Sequence, residues 1–240
     1  MNKSSSRSAA RLSGDFPPPP FAGFAPAAFA FFRGLAENQT KAWFDANREI
    51  YEMQVRAPLS SLVVEVAVKL SAKGLPLAGD PKRAIFRLNR DVRFSADKSP
   101  YKTNAGAAMT RDGGKMSPGV LYIHVGAKDC FTAAGFYQPE TPELQAMREA
   151  IVRDFADWKK ITKALPLSRE DALINPPKGF TPETPDMAEA LKLKSWIVRR
   201  PLAMATMRGP GLVDEIVDFA LAAAPLLQFG WAALEKRKLP

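Results

Sequence analysis

The chain has 240 residues, of which 46% are hydrophobic and 25% charged, the balance of an ordinary globule and not of a disordered or membrane protein. Its formal charge of +9 permits attraction to nucleic acid, acidic membrane surfaces or phosphorylated small molecules without choosing among them. Cys130 is the single cysteine, so an intrachain disulfide and a cysteine-built zinc site are both excluded.

Residues 1–20 are basic and Ser-rich and end in Phe16 and four prolines, which predicts a disordered, polyproline-type leader. This start has some features of a mitochondrial presequence but lacks the apolar core of a secretory signal. Residues 21–240 are expected to form a single domain, long enough to bury a core without staples. The apolar stretches Phe24–Phe32 and Phe219–Leu227 each contain a proline and fall short of the roughly 20 residues that cross a bilayer. A cytoplasmic protein with no membrane partner is expected.

Pro26 suits the first turn of a helix carrying Phe29, Phe32 and Leu35 at helical spacing and ending near Asn38. Thr40 reads as the N-cap of a longer helix in which Phe44, Arg48, Tyr51, Val55, Leu59, Leu62, Val63, Val66 and Leu70 form one stripe, with Gly74 as the stop. Pro58 lies inside that stripe and predicts a kink or two successive helices. The period then changes to two. Ala84–Asn89 reads as a strand with Ala84, Phe86 and Leu88 on one face; Lys102–Thr110, Gly119–Gly126 and Asp129–Tyr137 follow at spacings that favour an antiparallel meander. In the Gly119–Gly126 strand, Leu121, Ile123 and Val125 face the core, and Val120, Tyr122 and His124 face the other way. A helix from Pro142 through Trp158, a short helix around Met187–Leu193, a strand at Trp196–Arg199 and a last helix interrupted at Pro225 complete the chain. Helices at both ends around a central antiparallel sheet spell α+β.

The charge surplus is concentrated. Residues 82–111 hold eight basic side chains against Asp91 and Asp97, and the run Lys192, Lys194, Arg199, Arg200, Arg208 contains no acid. In the window RLNRDVRFSADKSPYKTN (87–104), Arg87, Arg90, Arg93, Lys98 and Lys102 form a candidate anion clamp, with Asp91 and Asp97 interleaved. Guanidinium groups offer a planar fork of donors to phosphate or carboxylate, and ammonium groups add point charges. The structural alternative is an internal network in which Asp91 and Asp97 neutralise Arg90 and Arg93 and pin an irregular loop to the sheet. Two acids cannot satisfy five bases. His124, the only histidine, and Tyr101 are the candidate proton carriers for hydrolysis or transfer at a bound anion. A multi-histidine metal site is excluded, and no Walker-type or GxGxxG loop is present, so no cofactor is expected. Asp91, Asp97 and Glu140 could contact a divalent cation, but the neighbouring arginines compete for the first two. Cys130 reads as a small buried residue. The expected partner is a small anionic ligand; the rival is a non-catalytic binding module, for nucleic acid as Phe94 and Tyr101 among basic residues suggest, or, as a third reading, a purely structural or protein-binding role.

The run RDVRFSADKSPYKTN (90–104) resembles the signature of the conserved bacterial and fungal family called domain of unknown function 2461. WFDANREIYEMQVRAP (43–58), LYIHVGAKDCFTAAGFYQPE (121–140), PPKGF (176–180) and LKLKSW (191–196) are similar to other parts of the same family. The resemblance carries no settled activity and no catalytic assignment. It marks as motif positions Arg87, Arg90, Asp91, Arg93, Phe94, Asp97, Lys98, Tyr101 and Lys102, with His124 and Gly135 in the hairpin. One departure is Asn38-Gln39, where the family often has paired asparagines.

Overall fold

The computed structural model describes residues 18–93, 95–115 and 117–236; most of the expected leader, and Phe94, lie outside them. Pro26 opens α1 (Pro26–Glu37), and the Thr40 hydroxyl accepts from the Trp43 amide to cap α2 (Lys41–Ala46). After the single turn of α3 (Arg48–Ile50), residues Tyr51–Arg56 form a π-helical segment that leads into α4 (Ala57–Ala72). Pro58 accounts for it. Proline has no N–H for the Gln54 carbonyl and would collide with it, and the wider register, in which the Ala57 amide donates to the Glu52 carbonyl, relieves that clash. The predicted break at Pro58 is therefore a widened turn just before it. Gly74, at φ 79°, ends α4, and the Leu75 amide turns back to the Leu70 carbonyl at 2.9 Å.

The strand expected over Ala84–Asn89 is corrected. Asp80 caps α5 (Pro81–Ala84) by accepting from the Lys82 amide, so Ala84 closes a helical turn, and the segment beyond forms isolated antiparallel bridges, Ile85 to Ala107 and Asn89 to Tyr101, in place of a strand. The helical turn also shifts the alternation. Ala84, Ile85 and Leu88 are buried, whereas Phe86 is only half-buried.

The sheet consists of β1 (Asn104–Thr110), β2 (Val120–Gly126), β3 (Cys130–Phe136) and β4 (Trp196–Pro201), all antiparallel, in the order β1-β2-β3-β4. The intervening helices are α6 (Thr141–Arg153), α7 (Phe155–Lys163) and α8 (Pro185–Leu191); α9 (Met204–Met207) and α10 (Leu212–Lys236) follow β4. The helix expected from Pro142 through Trp158 is two, because Asp154 leaves helical geometry at φ −113°, ψ 38°. The last helix is not interrupted at Pro225. That proline is exposed, so the carbonyl it displaces can turn to water and α10 continues.

The two faces of the sheet have different fates. Leu121, Ile123 and Val125 are fully buried beneath the helices; Gly230 of α10 leaves room for the ring of Phe136, which shares that face. By length and composition α10 could cross a membrane, but more than half of its most apolar stretch is buried inside the fold, and Trp231 donates to the Pro118 carbonyl. Val120, Tyr122 and His124 stay half-buried on the opposite face.

Candidate functional site

The loop over residues 90–100 is closed at its base by short backbone pairing. The Arg90 amide donates to the Pro100 carbonyl at 2.9 Å and the Lys102 amide to the Leu88 carbonyl at 2.8 Å. Within it, Asp91 accepts from the Arg93 guanidinium at 2.6 and 2.9 Å, Asp97 pairs with Arg90 and accepts from the Ser99 amide, and Lys98 donates to the Val92 carbonyl. The guanidinium and the amide contacts hold both carboxyls below the usual range, Asp97 far below it: for Asp91 the main cause is Arg93, for Asp97 the hydrogen bonds from Ser99. The internal network weighed from the sequence thus exists, and it uses Arg90 and Arg93.

It leaves a remainder. Among the described residues, Arg87, Lys102 and Lys115 form no ion pair, and the ammonium groups of Lys102 and Lys115 each stand 5.3 Å from the centre of the Phe86 ring. Lys102 is half-buried, and burial, together with Arg87, Lys115 and Arg90 around it, lowers its pKa. It lines a cleft of about 360 Å³ with Ala36, Gln39, Arg90, Asp97, Ser99, Tyr101, Thr103 and Asn104. Gln39 fastens one wall by accepting from the Tyr101 amide at 3.1 Å, so one residue of the Asn38-Gln39 departure touches the motif itself. The Tyr101 ring is 5% exposed and stacks on Phe44 at 4.7 Å, tying the loop to the core.

Asn104, at the edge of the cleft, contacts the half-buried face of the sheet. The Asn104 side-chain Nδ2 lies 3.4 Å from His124 Nδ1 and the Tyr122 hydroxyl 3.5 Å from the same nitrogen; with Nδ2 donating, Nδ1 is the acceptor and the neutral ring carries its proton on Nε2. The phenol of Tyr122 lies across β1 over Gly106, where any Cβ would collide with it. The His124 ring stacks on Phe131 at 4.5 Å, and Tyr122 meets Phe86 edge to face at 6.3 Å. Burial depresses the His124 pKa, opposed by Asp129 and aided by Arg199. Arg199, from the second basic run, lies 3.6 Å over Phe131 and pairs with Asp129; β4 does join the sheet, and this charge is satisfied.

The residues read from the sequence are therefore divided. Arg90, Asp97, Tyr101 and Lys102 share the cleft, and His124 adjoins it through Asn104. Arg87 is exposed beside Lys102, while Asp91, Arg93 and Lys98 belong to the loop's own bonding. Glu140 lies elsewhere, in the capping box of α6, and Cys130 is buried with its thiol 3.5 Å from the Gly126 carbonyl. Phe86, Asn104, Lys115 and Tyr122 were missed as site residues. Tyr122 carried a signal, since its strand parity is that of His124; Lys115 carried none, because it comes from a turn remote in sequence.

A larger cleft of about 520 Å³ lies between α7 and α8 over Trp158 and Leu165. Its rim charges are mostly spent on each other, Lys159 on Asp186 and Arg169 on Glu189, which leaves it little pull on a charged ligand.

A family model described as conserved hypothetical protein (DUF2461) matches residues 27–229. No curated protein and no solved structure matches the chain.

Proposed function

The chain belongs to the DUF2461 family, and on that premise we propose that it binds a small anionic ligand, phosphorylated or carboxylated, in the cleft beside Lys102. The observation that carries this reading is the charge left over after the internal ion pairs are made: Lys102, Arg87 and Lys115 lie together with no carboxylate partner among the described residues. Like charges held together in a half-buried place are unfavourable until an anion joins them. Arg90 adds a fork of donors if the anion takes over from Asp97. His124, whose pKa burial depresses, adjoins the cleft through Asn104 and is the candidate proton carrier should hydrolysis or transfer follow binding. A cytoplasmic location belongs to the same reading.

A thermal-shift panel of pyrophosphate, sugar phosphates, nucleotides and organic acids tests it. At least one anion is expected to raise the melting temperature of the wild type and to lose that effect in Lys102→Ala. If nothing in the panel stabilises the wild type more than it stabilises Lys102→Ala and the Arg90→Ala, Arg93→Ala double variant, the reading is wrong.

A further inference from the structure

We propose that the ligand is a mononucleotide, its phosphate held by Lys102 and Arg90 in the cleft and its base laid against the aromatic face of Phe86, Tyr122 and His124. This rests on the anion-binding reading and adds the other half of the ligand.

Two residues join the halves. Lys102 lines the cleft and also stands over the Phe86 ring. Asn104 lines the same cleft and donates to His124. An anion at Lys102 thus lies at the edge of a continuous aromatic cluster, in which Phe86 meets Tyr122 at 6.3 Å and Tyr122 meets His124 at 6.1 Å. These rings occupy the face of the sheet opposite to the one buried under α10, and each is only half-buried. Stacking rings and flanking cations are the two elements that hold a nucleobase and its phosphate. The polar groups that line the cleft, Asn104, Thr103 and Ser99, suit a sugar or a base edge.

A mononucleotide fits better than a strand. A stacking track for single-stranded nucleic acid needs cations along its whole length. Here Lys102 and Lys115, which form no ion pair among the described residues, stand at the Phe86 end, and at the far end Arg199 is already held by Asp129 over Phe131. One charged end and one aromatic end match one phosphate and one base. The cleft volume of about 360 Å³ is in the range of small-molecule sites.

Isothermal titration of the full chain with inorganic phosphate, the four common nucleoside 5′-monophosphates and hexathymidylate tests the assignment. At least one monophosphate is expected to bind about tenfold or more tightly than phosphate, the range of one stacked base. His124→Ala is expected to erase most of that advantage while phosphate binding stays within about twofold, and Lys102→Ala to weaken both. A circular dichroism spectrum and melting temperature close to wild type confirm that each variant is folded. Phosphate binding as tightly as every monophosphate overturns the inference and leaves the anion site standing. Binding of neither overturns both. Hexathymidylate binding without any mononucleotide overturns the inference in favour of a strand.

Discussion

Single side chains in this molecule are set by what reaches them from other elements. Arg148 on α6 is buried with no carboxylate partner among the described residues; its guanidinium donates to the Leu191 and Leu193 carbonyls at 3.0 and 3.1 Å, closing the end of α8. Charged donors to buried carbonyls contribute strongly, so Arg148→Ala is expected to lower stability by about 3 kcal/mol in urea denaturation. His124 supplies a pH test. Its folded pKa is depressed from the ordinary 6.5, chiefly by burial, so the unfolded chain takes up the proton first. The stability of the neutral form is complete above pH 6.5 and is lost as pH falls through the folded value. Melting temperature should therefore drop more steeply below pH 6.5 in the wild type than in His124→Phe, and parallel curves would refute the assignment.

Elements are held by close approaches and by tolerated irregularities. Gly135 adopts φ 134° in β3, and a Cβ there would run into the Trp196 carbonyl oxygen of the neighbouring strand. Gly135→Ala should cost roughly 2–4 kcal/mol, read from the shift in denaturant midpoint, because both the backbone and the β3–β4 spacing must give. Pro225 is the opposite case. It is exposed inside α10 and makes no use of its rigidity that a packed neighbour requires, so Pro225→Ala is expected to stabilise the protein by about 1–3 kcal/mol by restoring a helical hydrogen bond. The 90–100 loop draws its order from internal pairs, and Gln39 and Tyr101 anchor it to the helical layer.

At the scale of the whole molecule the fold is a one-sided sandwich, with helices filling one face of a four-stranded meander and leaving rings and cations on the other. One buried cluster extends from Phe21 near the start of the described chain to Leu234 in α10. Its fully buried aliphatic side chains, Leu59, Leu62, Leu121 and Ile123 among them, contribute about 1.5–3 kcal/mol each before entropy is counted. With a formal charge of +9, anion binding at Lys102 should weaken as salt rises, by roughly tenfold between about 0.05 and 0.5 M, since screening acts on charges open to solvent. Affinity that is flat with salt would place the ligand against neutral groups instead.

The amino-acid sequence by itself determined what repeats locally. The helical stripe of α4, the alternation of Leu121, Ile123 and Val125, the Thr40 cap and the antiparallel hairpins all follow from periods and short spacings that no distant contact alters. It also located the charge, because five bases cannot be matched by two acids within the 87–104 window. Tertiary structure decided which of those charges are already satisfied. Asp91 and Asp97 choose Arg93 and Arg90 through loop geometry, Asp129 just before β3 takes Arg199 of the adjacent β4, and Lys115 arrives beside Lys102 from a separate turn. Phe86 leaves the face it was expected to share with Ala84 and Leu88 because Asp80 and Pro81 start a helical turn that displaces the strand register. Local pattern depends on backbone period, whereas a site depends on which side chains remain unpaired after the chain has folded back on itself.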